Sequence, residues 1–514
     1  MQRIAIIDIG SNSARLVISH IFKNGSYKMF YNQKESLRLG QKVDASNNLT
    51  EEAITSTIET IKNFAYMCKV YHVSKIIAVA TAAIRNANNG KKLVDRVEQA
   101  TGISLEIISG KREAYLSYLG VINTLDVKSG IIFDLGGGST ELVFFKNCKL
   151  VESISLPIGA VNTTVKYNTR DTMPPAIQEV VKTFIISKLS VYPWLKQNNL
   201  PLISVGGTGR AVAKIIQRAK KYPATKLHNY TYSLDTFNSF FNKMLVTNLE
   251  QRTKISGLGK ERSDIILAGI CIIKVLFEET GAKKMITSGC GLREGLFYNY
   301  YAETRNLPNI IPDILKESTA NMLGLYEPDE AHAKQVTKYA LSMFDSWKTL
   351  HGLRKSYRKL LETAAMLHDT GISVNYYSHA RHSAYLIQNG KLFGLSHKEQ
   401  FMVSVIAGWH HGYSKNYFRD RFYKKLLTES NWKVMNKLAV LLALAESLDF
   451  TNTKQIQKID ACVRKKEAVL AIHSPGIPSI ELHELVDHKA WFKKNFNTNL
   501  CIEVQNEIPP EFEQ

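Results

Sequence analysis

Residues 130–145 read GIIFDLGGGSTELVFF, and residues 4–19 read IAIIDIGSNSARLVIS. The two stretches align without a gap, so that Asp8 falls on Asp134 and Ser13 on Ser139. Each is an apolar β-type run that ends in Asp, a turn of Gly and Ser, and a second apolar run. This pattern predicts a β-hairpin whose turn lets a ligand approach the backbone. A turn alone does not require the Asp and Ser to recur, so the repeat favours a duplicated binding element over a simple chain reversal.

The composition is that of a multidomain soluble globular protein. The chain has 514 residues, which is too long for a single hydrophobic core. Of these residues, 45% are hydrophobic and 22% are charged. There is no apolar run of about eighteen residues, so we expect no membrane-spanning helix. The first residues enter a strand at once, so we also expect no signal peptide.

Cysteine usage and net charge indicate the compartment and the class of partner. The six cysteines form no C-x-x-C pair, which argues against a disulfide framework or a zinc ribbon and favours the reducing cytoplasm. The formal net charge is +20. An excess of that size suggests a polyanionic partner, although a basic proteome background produces the same excess.

The chain divides into three predicted domains, residues 1–125, 126–312 and 313–514. In the first we expect a hairpin, helix, strand, helix, strand and helix. Its helix from Glu51 to Tyr71 carries an apolar stripe, and KIIAVAT and LEIIS are short buried strands. The second domain starts with the repeated hairpin. The third is helical, with LAVLLALAESLDF as a buried helix, and AVLAIH and NLCIEVQ predict two late strands around one helix.

Two α/β domains that each begin with such a hairpin are typical of the actin-like fold, in which the two domains lie on either side of a cleft. The motifs DIGSNSARL, ATAAIRNANNG, SGKREA, DLGGGSTEL, GGTGR, ERSDIILAG and GLREG follow one another in this chain. In these motifs the sequence resembles the exopolyphosphatase and guanosine pentaphosphate phosphatase family over residues 1 to about 300. The third domain resembles, more weakly, the HD-type domain that many members carry.

The resemblance implies a fold class. We expect an α/β protein with two actin-like domains, the RNase H-like fold of acetate and sugar kinases, Hsp70 and actin. An all-α HD-like domain with a small α+β C-terminal extension follows them. We also expect a homodimer.

The resemblance implies that Glu113, in SGKREA, is the general base. Members of the family usually carry a second Glu just before it, where this chain has Arg112. From the sequence alone, a Glu in the first turn of a helix is more often a partner of the helix dipole than a catalyst.

Asp134 and Glu141 flank the second Gly turn, and the resemblance assigns them to a Mg2+ (or Mn2+) ion. We expect Asp8, the matching residue in the first copy of the repeat, to complete the ion's shell from across the cleft. Carboxylate oxygens suit such a hard cation. The alternative is that each Asp only stabilises its turn.

Phosphate groups are expected to bind around the two turns and at a third Gly-rich segment. The turns offer backbone N–H groups without side-chain obstruction, and GGTGR reads as a helix start that presents further N–H groups. The expected phosphate-binding residues are Ser11, Asn12, Arg85, Gly136, Gly137, Gly138, Ser139, Gly206, Gly207 and Thr208. Whether Arg262 with Asp264, and Arg293 with Glu294, form structural ion pairs or contact substrate stays open.

The HD-like domain offers a second metal set. In HD phosphohydrolases a His, a His-Asp pair and a later Asp collect a metal, and the matching residues here are His332, His368, Asp369 and Glu446. Glu446 replaces the later Asp, with Asp449 one turn on, so the geometry is altered. A helix bundle also buries such histidines through hydrogen bonds alone.

Residues 410–427, HHGYSKNYFRDRFYKKLL, mix basic and aromatic side chains. Such a mixture can bind single-stranded nucleic acid by stacking and charge, but no RNA-binding motif accompanies it, and the run equally suits the face of a helix. We therefore favour a polyphosphate track and do not expect nucleic acid or a membrane as partner.

The resemblance implies a metal-dependent exopolyphosphatase that releases orthophosphate from the ends of inorganic polyphosphate. One alternative is a guanosine pentaphosphate (pppGpp) 5'-phosphatase. A second is a non-catalytic regulator that binds polyphosphate or nucleotide, against which the joint presence of Glu113, Asp134 and Glu141 speaks.

Overall fold

The computed structural model describes residues 2–197, 199–326, 329–412 and 426–506. This part of the chain forms two compact units, the first from residues 2–23 and 27–314 and the second from residues 24–26 and 315–506. The predicted basic and aromatic run lies outside the described residues, apart from its two ends. The boundary at residue 125 stays a prediction.

The first unit contains two mixed β-sheets and the helices that cover them. Its strands are β1 Gln2–Ile9, β2 Ser13–Ile21, β3 Tyr27–Ser36, β4 Lys75–Ala80, β5 Leu105–Ile107, β6 Gly130–Leu135, β7 Thr140–Lys146, β8 Lys149–Leu156, β9 Leu202–Val205, β10 Tyr230–Ser233 and β11 Lys284–Thr287. Its helices are α1 Glu51–Val70, α2 Ala82–Asn86, α3 Gly90–Thr101, α4 Gly110–Ile122, α5 Ala160–Tyr167, α6 Pro175–Leu189, α7 Gly206–Ala219, α8 Leu234–Leu245, α9 Leu249–Thr253, α10 Ile266–Thr280 and α11 Leu292–Arg305.

The two sheets share one topology. The first has the order β3-β2-β1-β4-β5, and the second has the order β8-β7-β6-β9-β11-β10. In each, an antiparallel three-stranded meander is extended by two parallel strands next to its first member, and the second sheet also has the antiparallel edge strand β10. This duplicated arrangement is the actin-like fold predicted from the repeated hairpin. The sequence suggested only a hairpin at the start of the first sheet, whereas the structure adds β3 as a polar edge strand.

A pair of helices packs between the sheets. Helix α11 covers Ile4 and Ile6 of the first sheet, and α4 covers Ile132 and Val143 of the second. The opposite faces are covered by α1 and α3 on the first sheet and by α10 and α6 on the second. Because the apolar side chains of both sheets are buried on both faces, the strand ends that carry the Gly turns are held in fixed positions.

The second unit is a helical bundle followed by a small three-stranded sheet. Its helices are α12 Ile314–Tyr326, α13 Glu330–Ser346, α14 Lys348–His351, α15 Arg358–Leu367, α16 His379–Asn389, α17 His397–Gly408, α18 Glu429–Ser447, α19 Ser479–Asp487 and α20 Lys489–Phe496, and its strands are β12 Lys458–Arg464, β13 Glu467–Ser474 and β14 Leu500–Asn506. Strand β13 pairs antiparallel with β12 and parallel with β14. The predicted late strands are β13 and β14, and the structure adds β12 and a second intervening helix.

None of the described helices has both the length and the apolar content needed to cross a membrane.

Candidate active site

The two hairpin turns of the first unit face one cleft. In both turns a glycine N–H donates to the carbonyl oxygen of the serine three residues later, from Gly10 to Ser13 at 3.1 Å and from Gly136 to Ser139 at 3.0 Å. A Cβ on Gly138 would lie 2.7 Å from Ser11 Oγ. The two turns therefore approach each other closely enough to contact one ligand.

In the second turn the backbone carbonyl oxygens accept hydrogen bonds, whereas backbone N–H groups remain available to a ligand. The carbonyl oxygens of Gly136 and Gly137 accept hydrogen bonds from the first residues of α5, and that of Gly138 accepts one from Asn162 Nδ2 at 2.8 Å. Among the described residues, the N–H groups of Gly137 and Gly138 have no hydrogen-bond partner. In the first turn, Asn12 Nδ2 is buried and likewise lacks a described partner. These donors suit an anion.

Opposite residues on the two hairpins carry different charges. In the strand register Asp134 lies opposite Glu141, whereas Asp8 lies opposite Arg15. Opposite side chains in an antiparallel pair lie on the same face, about 5 Å apart at Cβ. The second hairpin therefore presents two carboxylates side by side, where the first presents a carboxylate and a guanidinium.

Each carboxylate of the acidic pair has one oxygen engaged by a hydroxyl group. Ser117 Oγ donates to Asp134 Oδ2 at 2.7 Å, and Ser155 Oγ donates to Glu141 Oε1 at 2.7 Å. Burial raises the pKa of Asp134. Burial, followed by repulsion from Asp134, raises the pKa of Glu141 to about 7. A divalent cation would relieve this repulsion, and the all-oxygen donor set suits Mg2+.

Glu113 lies in the first turn of α4 and is 8% exposed. Arg85 Nη1 donates to Glu113 Oε2 at 2.9 Å and also to the carbonyl oxygen of Ile108. Burial, and then repulsion from Glu141, raise the pKa of Glu113 well above its ordinary value. The ion pair holds the carboxylate in place while burial keeps it basic, as a general base requires. Arg85, expected to bind phosphate, thus contacts the expected base through Nη1, and its phosphate-binding role stays a prediction.

Four arginines also line the cleft: Arg15, Arg210, Arg262 and Arg293. None forms an ion pair with a carboxylate within the described ranges. Burial lowers the pKa of Arg15 and of Arg262 to about 10. Asp8 acts electrostatically on Arg15, and Glu294 and Asp134 act on Arg210, but none of these carboxylates forms a direct ion pair, so the four half-buried guanidinium groups can bind an anionic ligand.

The structure answers the question left open about the Arg262 and Arg293 pairs. Asp264 pairs with Arg38 at 3.0 Å rather than with Arg262. Glu294 accepts a hydrogen bond from the N–H of Gly291 at 2.8 Å. Arg262 and Arg293 are left facing the cleft.

Most of the expected residues line this cleft and a few lie beside it. The lining residues are Asp8, Ser11, Asn12, Glu113, Asp134, Gly136, Gly137, Ser139, Gly206 and Gly207. Glu141 lies buried next to Asp134, and Gly138 lies against Ser11. Thr208 differs, because its side chain packs against Gly269 of α10 and is 2% exposed.

Gly206 and Gly207 have steric reasons to be glycines. Gly206 has φ +87°, and a Cβ there would lie 2.7 Å from the Leu135 carbonyl oxygen and 2.9 Å from Asp134 Oδ1. A Cβ on Gly207 would overlap the Arg262 guanidinium at 1.9 Å. The start of α7 therefore approaches both the acidic pair and one cleft arginine.

The expected metal residues of the second unit also come together. The ligand atoms of His332, His368, Asp369 and Glu446 lie within 4.8 Å of one another. All four residues belong to the second unit.

Comparisons with known proteins agree with this architecture. The model of the Ppx/GppA phosphatase family matches residues 17–303, and that of Ppx/GppA phosphatase, domain III, matches residues 314–486. The guanosine-5'-triphosphate,3'-diphosphate pyrophosphatase of Pseudoalteromonas translucida (strain TAC 125) is 26% identical over 460 residues, which are 87% of this chain and 88% of that protein.

Two solved structures resemble part of the chain. The Aquifex aeolicus member of the Ppx/GppA family is 31% identical with a TM-score of 0.52, covering 59% of this chain and 98% of that one. An exopolyphosphatase from Cytophaga hutchinsonii ATCC 33406 has the same fold at 24% identity, with a TM-score of 0.55 over 60% of this chain and 99% of that one.

Proposed function

Because this chain belongs to the Ppx/GppA phosphatase family, we propose that the cleft of its first unit hydrolyses the terminal phosphoanhydride bond of inorganic polyphosphate and releases orthophosphate. The observation that carries the proposal is the set of four arginines that line the cleft beside the two Gly turns and form no direct ion pair with a carboxylate of the described residues. Crowded phosphoryl oxygens require such a set of cations and N–H donors.

Different residues of the chain bind the terminal phosphoryl group and activate the attacking water. The N–H groups of Gly137 and Gly138 and the amide of Asn12 bind oxygens of the terminal phosphoryl group. Arg85 holds Glu113 by Oε2, which leaves Oε1 to take a proton from the attacking water. The water oxygen bonds to the terminal phosphorus as the bridging P–O bond breaks, and the remaining chain leaves one phosphate shorter.

Asp134 and Glu141 would hold Mg2+ (or Mn2+), with Asp8 on the facing hairpin. When bound, such an ion neutralises the negative charge that crowds around the phosphoryl groups. The paired carboxylates with raised pKa values support this assignment.

The second candidate is hydrolysis of the 5'-terminal phosphate of pppGpp. It is favoured by the P. translucida pyrophosphatase, which aligns with this chain over most of its length, including the second unit. The cleft chemistry is the same for both substrates, because each ends in a phosphoanhydride.

The proposal includes a cytoplasmic location and a homodimer. All six cysteines are free thiols, which suits a reducing compartment.

The test measures phosphate release from long polyphosphate, short polyphosphate and pppGpp in parallel assays that contain Mg2+. We expect the highest kcat/KM on polyphosphate. A higher kcat/KM on pppGpp would favour the second candidate, and release from none of the three would refute both.

A further inference from the structure

In the first unit, a short loop beside the first sheet holds the first hairpin turn from behind. We call residues 37–41, which follow β3, the bridging loop. The backbone N–H of Arg38 donates to the carbonyl oxygen of Asn12 at 3.0 Å, and that of Gly40 donates to the carbonyl oxygen of Ser11 at 2.9 Å. The bridging loop therefore holds the first turn by its carbonyl oxygens, as the start of α5 holds the second turn.

The bridging loop also contacts the helix that holds the second turn. Val161 belongs to α5 and is buried. A Cβ on Gly40 would lie 3.3 Å from Val161 Cγ1, and a Cβ on Gly137 would lie 3.0 Å from Val161 Cγ2. The segments that hold the two turns therefore meet at one buried side chain, although they belong to the halves of the unit built on different sheets.

The side chain of Arg38 extends this connection to the segment that carries a cleft arginine. Arg38 Nη1 lies 3.0 Å from Asp264 Oδ2. Asp264 follows two residues after Arg262, which lines the cleft. Neither of the two paired residues is part of the cleft lining. The connection therefore runs from Asn12 through Arg38 and Asp264 to Arg262, and it joins a candidate phosphate-binding group of each half from outside the cleft.

The ion pair between Arg38 and Asp264 is buried at its acidic end. The side chain of Asp264 is 8% exposed, and its Oδ1 atom has no hydrogen-bond partner within the described ranges. A buried carboxylate depends on its cation far more than an exposed one does. The neighbouring pair of Lys34 with Glu261, at 3.1 Å, is more exposed on the acidic side. We therefore expect Arg38 to contribute more than Lys34 to holding this segment.

The backbone of Arg38 has a conformation that arginine rarely adopts, with φ 53° and ψ 39°. This left-handed region is unfavourable for a residue with a Cβ, and such residues cluster where the surrounding structure holds them for a function. Asn or Gly would adopt the same conformation more readily. The shape of the bridging loop does not require an arginine, so the guanidinium group itself is the feature to be explained.

A second arginine holds the same segment within its own half. Arg252 is fully buried, and its guanidinium donates to the carbonyl oxygen of Ser263 at 2.8 Å and to that of Thr247 at 2.7 Å. Ser263 lies directly between Arg262 and the acidic partner of Arg38. The segment is therefore anchored in the second half without Arg38. What Arg38 adds is its position relative to the first hairpin turn.

We propose that Arg38 is a positioning residue that, through Asp264, places Arg262 against the same phosphate group as the first hairpin turn. A guanidinium group binds two phosphate oxygens only when it is correctly placed, and a small displacement of a positioning group can remove most of its effect. The proposal rests on the proposed function of the cleft and extends it to a residue outside the cleft lining.

The test is binding of tripolyphosphate with Mg2+, measured by calorimetry on full-length protein that carries Glu113→Gln to block turnover. Arg38→Asn should raise Kd about tenfold, the effect of losing one hydrogen bond to a charged group. Asp264→Asn removes the other partner and should raise Kd equally, whereas Arg38→Lys keeps the cation and should raise it less. Arg96→Asn, which breaks the ion pair with Glu51 between α3 and α1, should leave Kd unchanged.

A second comparison separates positioning from a general structural effect. In protein that carries Arg262→Gln, Arg38→Asn should not raise Kd further, because the contact that it positions is already lost. A further rise there, or an unchanged Kd in folded Arg38→Asn, would overturn the proposal. If Arg38→Asn fails to fold by circular dichroism, Asp264→Asn breaks the same ion pair and replaces it in both comparisons. Absence of tripolyphosphate binding before any of these changes at the ion pair would refute the proposed function of the cleft and this proposal with it.

Discussion

At the scale of single residues, the cleft of the first unit contains two adjacent carboxylates and four arginines. Asp134 faces Glu141 across the second hairpin, while Arg15, Arg210, Arg262 and Arg293 form no direct ion pair with a carboxylate of the described residues. A cation alone would satisfy the acids, and an anion alone would satisfy the arginines. A magnesium complex of a phosphate chain supplies both.

The first prediction concerns the base. Glu113→Gln keeps the shape of the side chain and a hydrogen-bond acceptor for Arg85 but cannot take a proton from water. We expect kcat to fall by about a hundred- to ten-thousand-fold with a small change in KM, the usual effect of losing a general base. Steady-state phosphate release checks this, with the exposed Glu98→Gln as the control. A Glu113→Gln enzyme with nearly normal kcat would remove Glu113 from the mechanism.

The second prediction concerns the acidic pair. Asp134→Asn and Glu141→Gln each remove an anionic oxygen from the expected ion site. The Mg2+ concentration for half-maximal rate should therefore rise in both. A magnesium titration of the rate measures this against Asp126→Asn, which changes an exposed carboxylate. An unchanged magnesium requirement in both variants would contradict the metal assignment.

The third prediction concerns an arginine. Arg15→Gln should lower kcat/KM by about ten- to a hundredfold, because a hydrogen bond to a charged group contributes about 1.5–3 kcal/mol. Arg218→Gln, which removes an exposed guanidinium that donates to Ser256 Oγ, is the control. Equal kcat/KM in the two variants would show that Arg15 does not contact the substrate.

Much of this site is predictable from residue patterns, since the repeated hairpin brings Asp8, Asp134 and the Gly turns together. Arg15 occupies the position of the repeat that Glu141 holds in the second copy, so the alignment contained a signal for it. Thr208 was expected in the cleft from its motif. Its burial against Gly269 depends on a helix distant in sequence, which no local pattern shows.

At the scale of elements, the crossing of α4 and α11 connects the two sheets. A Cβ on Gly295 would lie 1.8 Å from the Leu116 carbonyl oxygen, and one on Gly120 would lie 2.2 Å from that of Gly291. The helices therefore pack backbone to backbone, and α4 carries Glu113 at its first turn. The position of the base depends on this crossing.

A fourth prediction follows for stability. Gly295→Ala places a methyl group against backbone that cannot move aside, and overpacking typically costs about 1–3 kcal/mol. We expect a lower midpoint of thermal unfolding, measured by circular dichroism. Gly476→Ala, where the nearest atom lies 3.7 Å away, should leave the midpoint nearly unchanged. A Gly295→Ala midpoint equal to that of the control would contradict the tight crossing.

Apolar periodicity predicted the buried elements, because α1, β4, α13 and α18 present regular apolar stripes to a core. It missed β3, whose residues are polar and half-exposed at a sheet edge. Such a strand is specified by the neighbour it pairs with rather than by its own pattern.

At the scale of the whole molecule, the chain forms two units with separate hydrophobic cores. The first unit presents carboxylates and arginines in one cleft, and the second brings His332, His368, Asp369 and Glu446 together. The net charge of +20 suits a polyanionic substrate, and a long chain would extend beyond the cleft to other basic surface.

The fifth prediction addresses that surface. A chain ending near Asp313 should act less well on long polyphosphate than on short chains, with KM for the long substrate raised on the order of tenfold at low salt. The difference should shrink as salt rises, because contacts to a polyanion release counterions. The Aquifex aeolicus family member, whose structure covers 59% of this chain and 98% of its own, shows that a shorter member of the family folds. Circular dichroism checks that the truncated chain folds, and an unchanged ratio of long- to short-chain activity would exclude the second unit as a track.

The most direct measurement of the central claim follows polyphosphate hydrolysis in oxygen-18-labelled water with Mg2+, by mass spectrometry of the phosphate and electrophoresis of the remaining chains. Attack of water on the terminal phosphorus predicts one labelled oxygen in each orthophosphate released and chains that shorten from the end without fragments of intermediate length. Label in the remaining chain, or fragments from internal cleavage, would contradict the account.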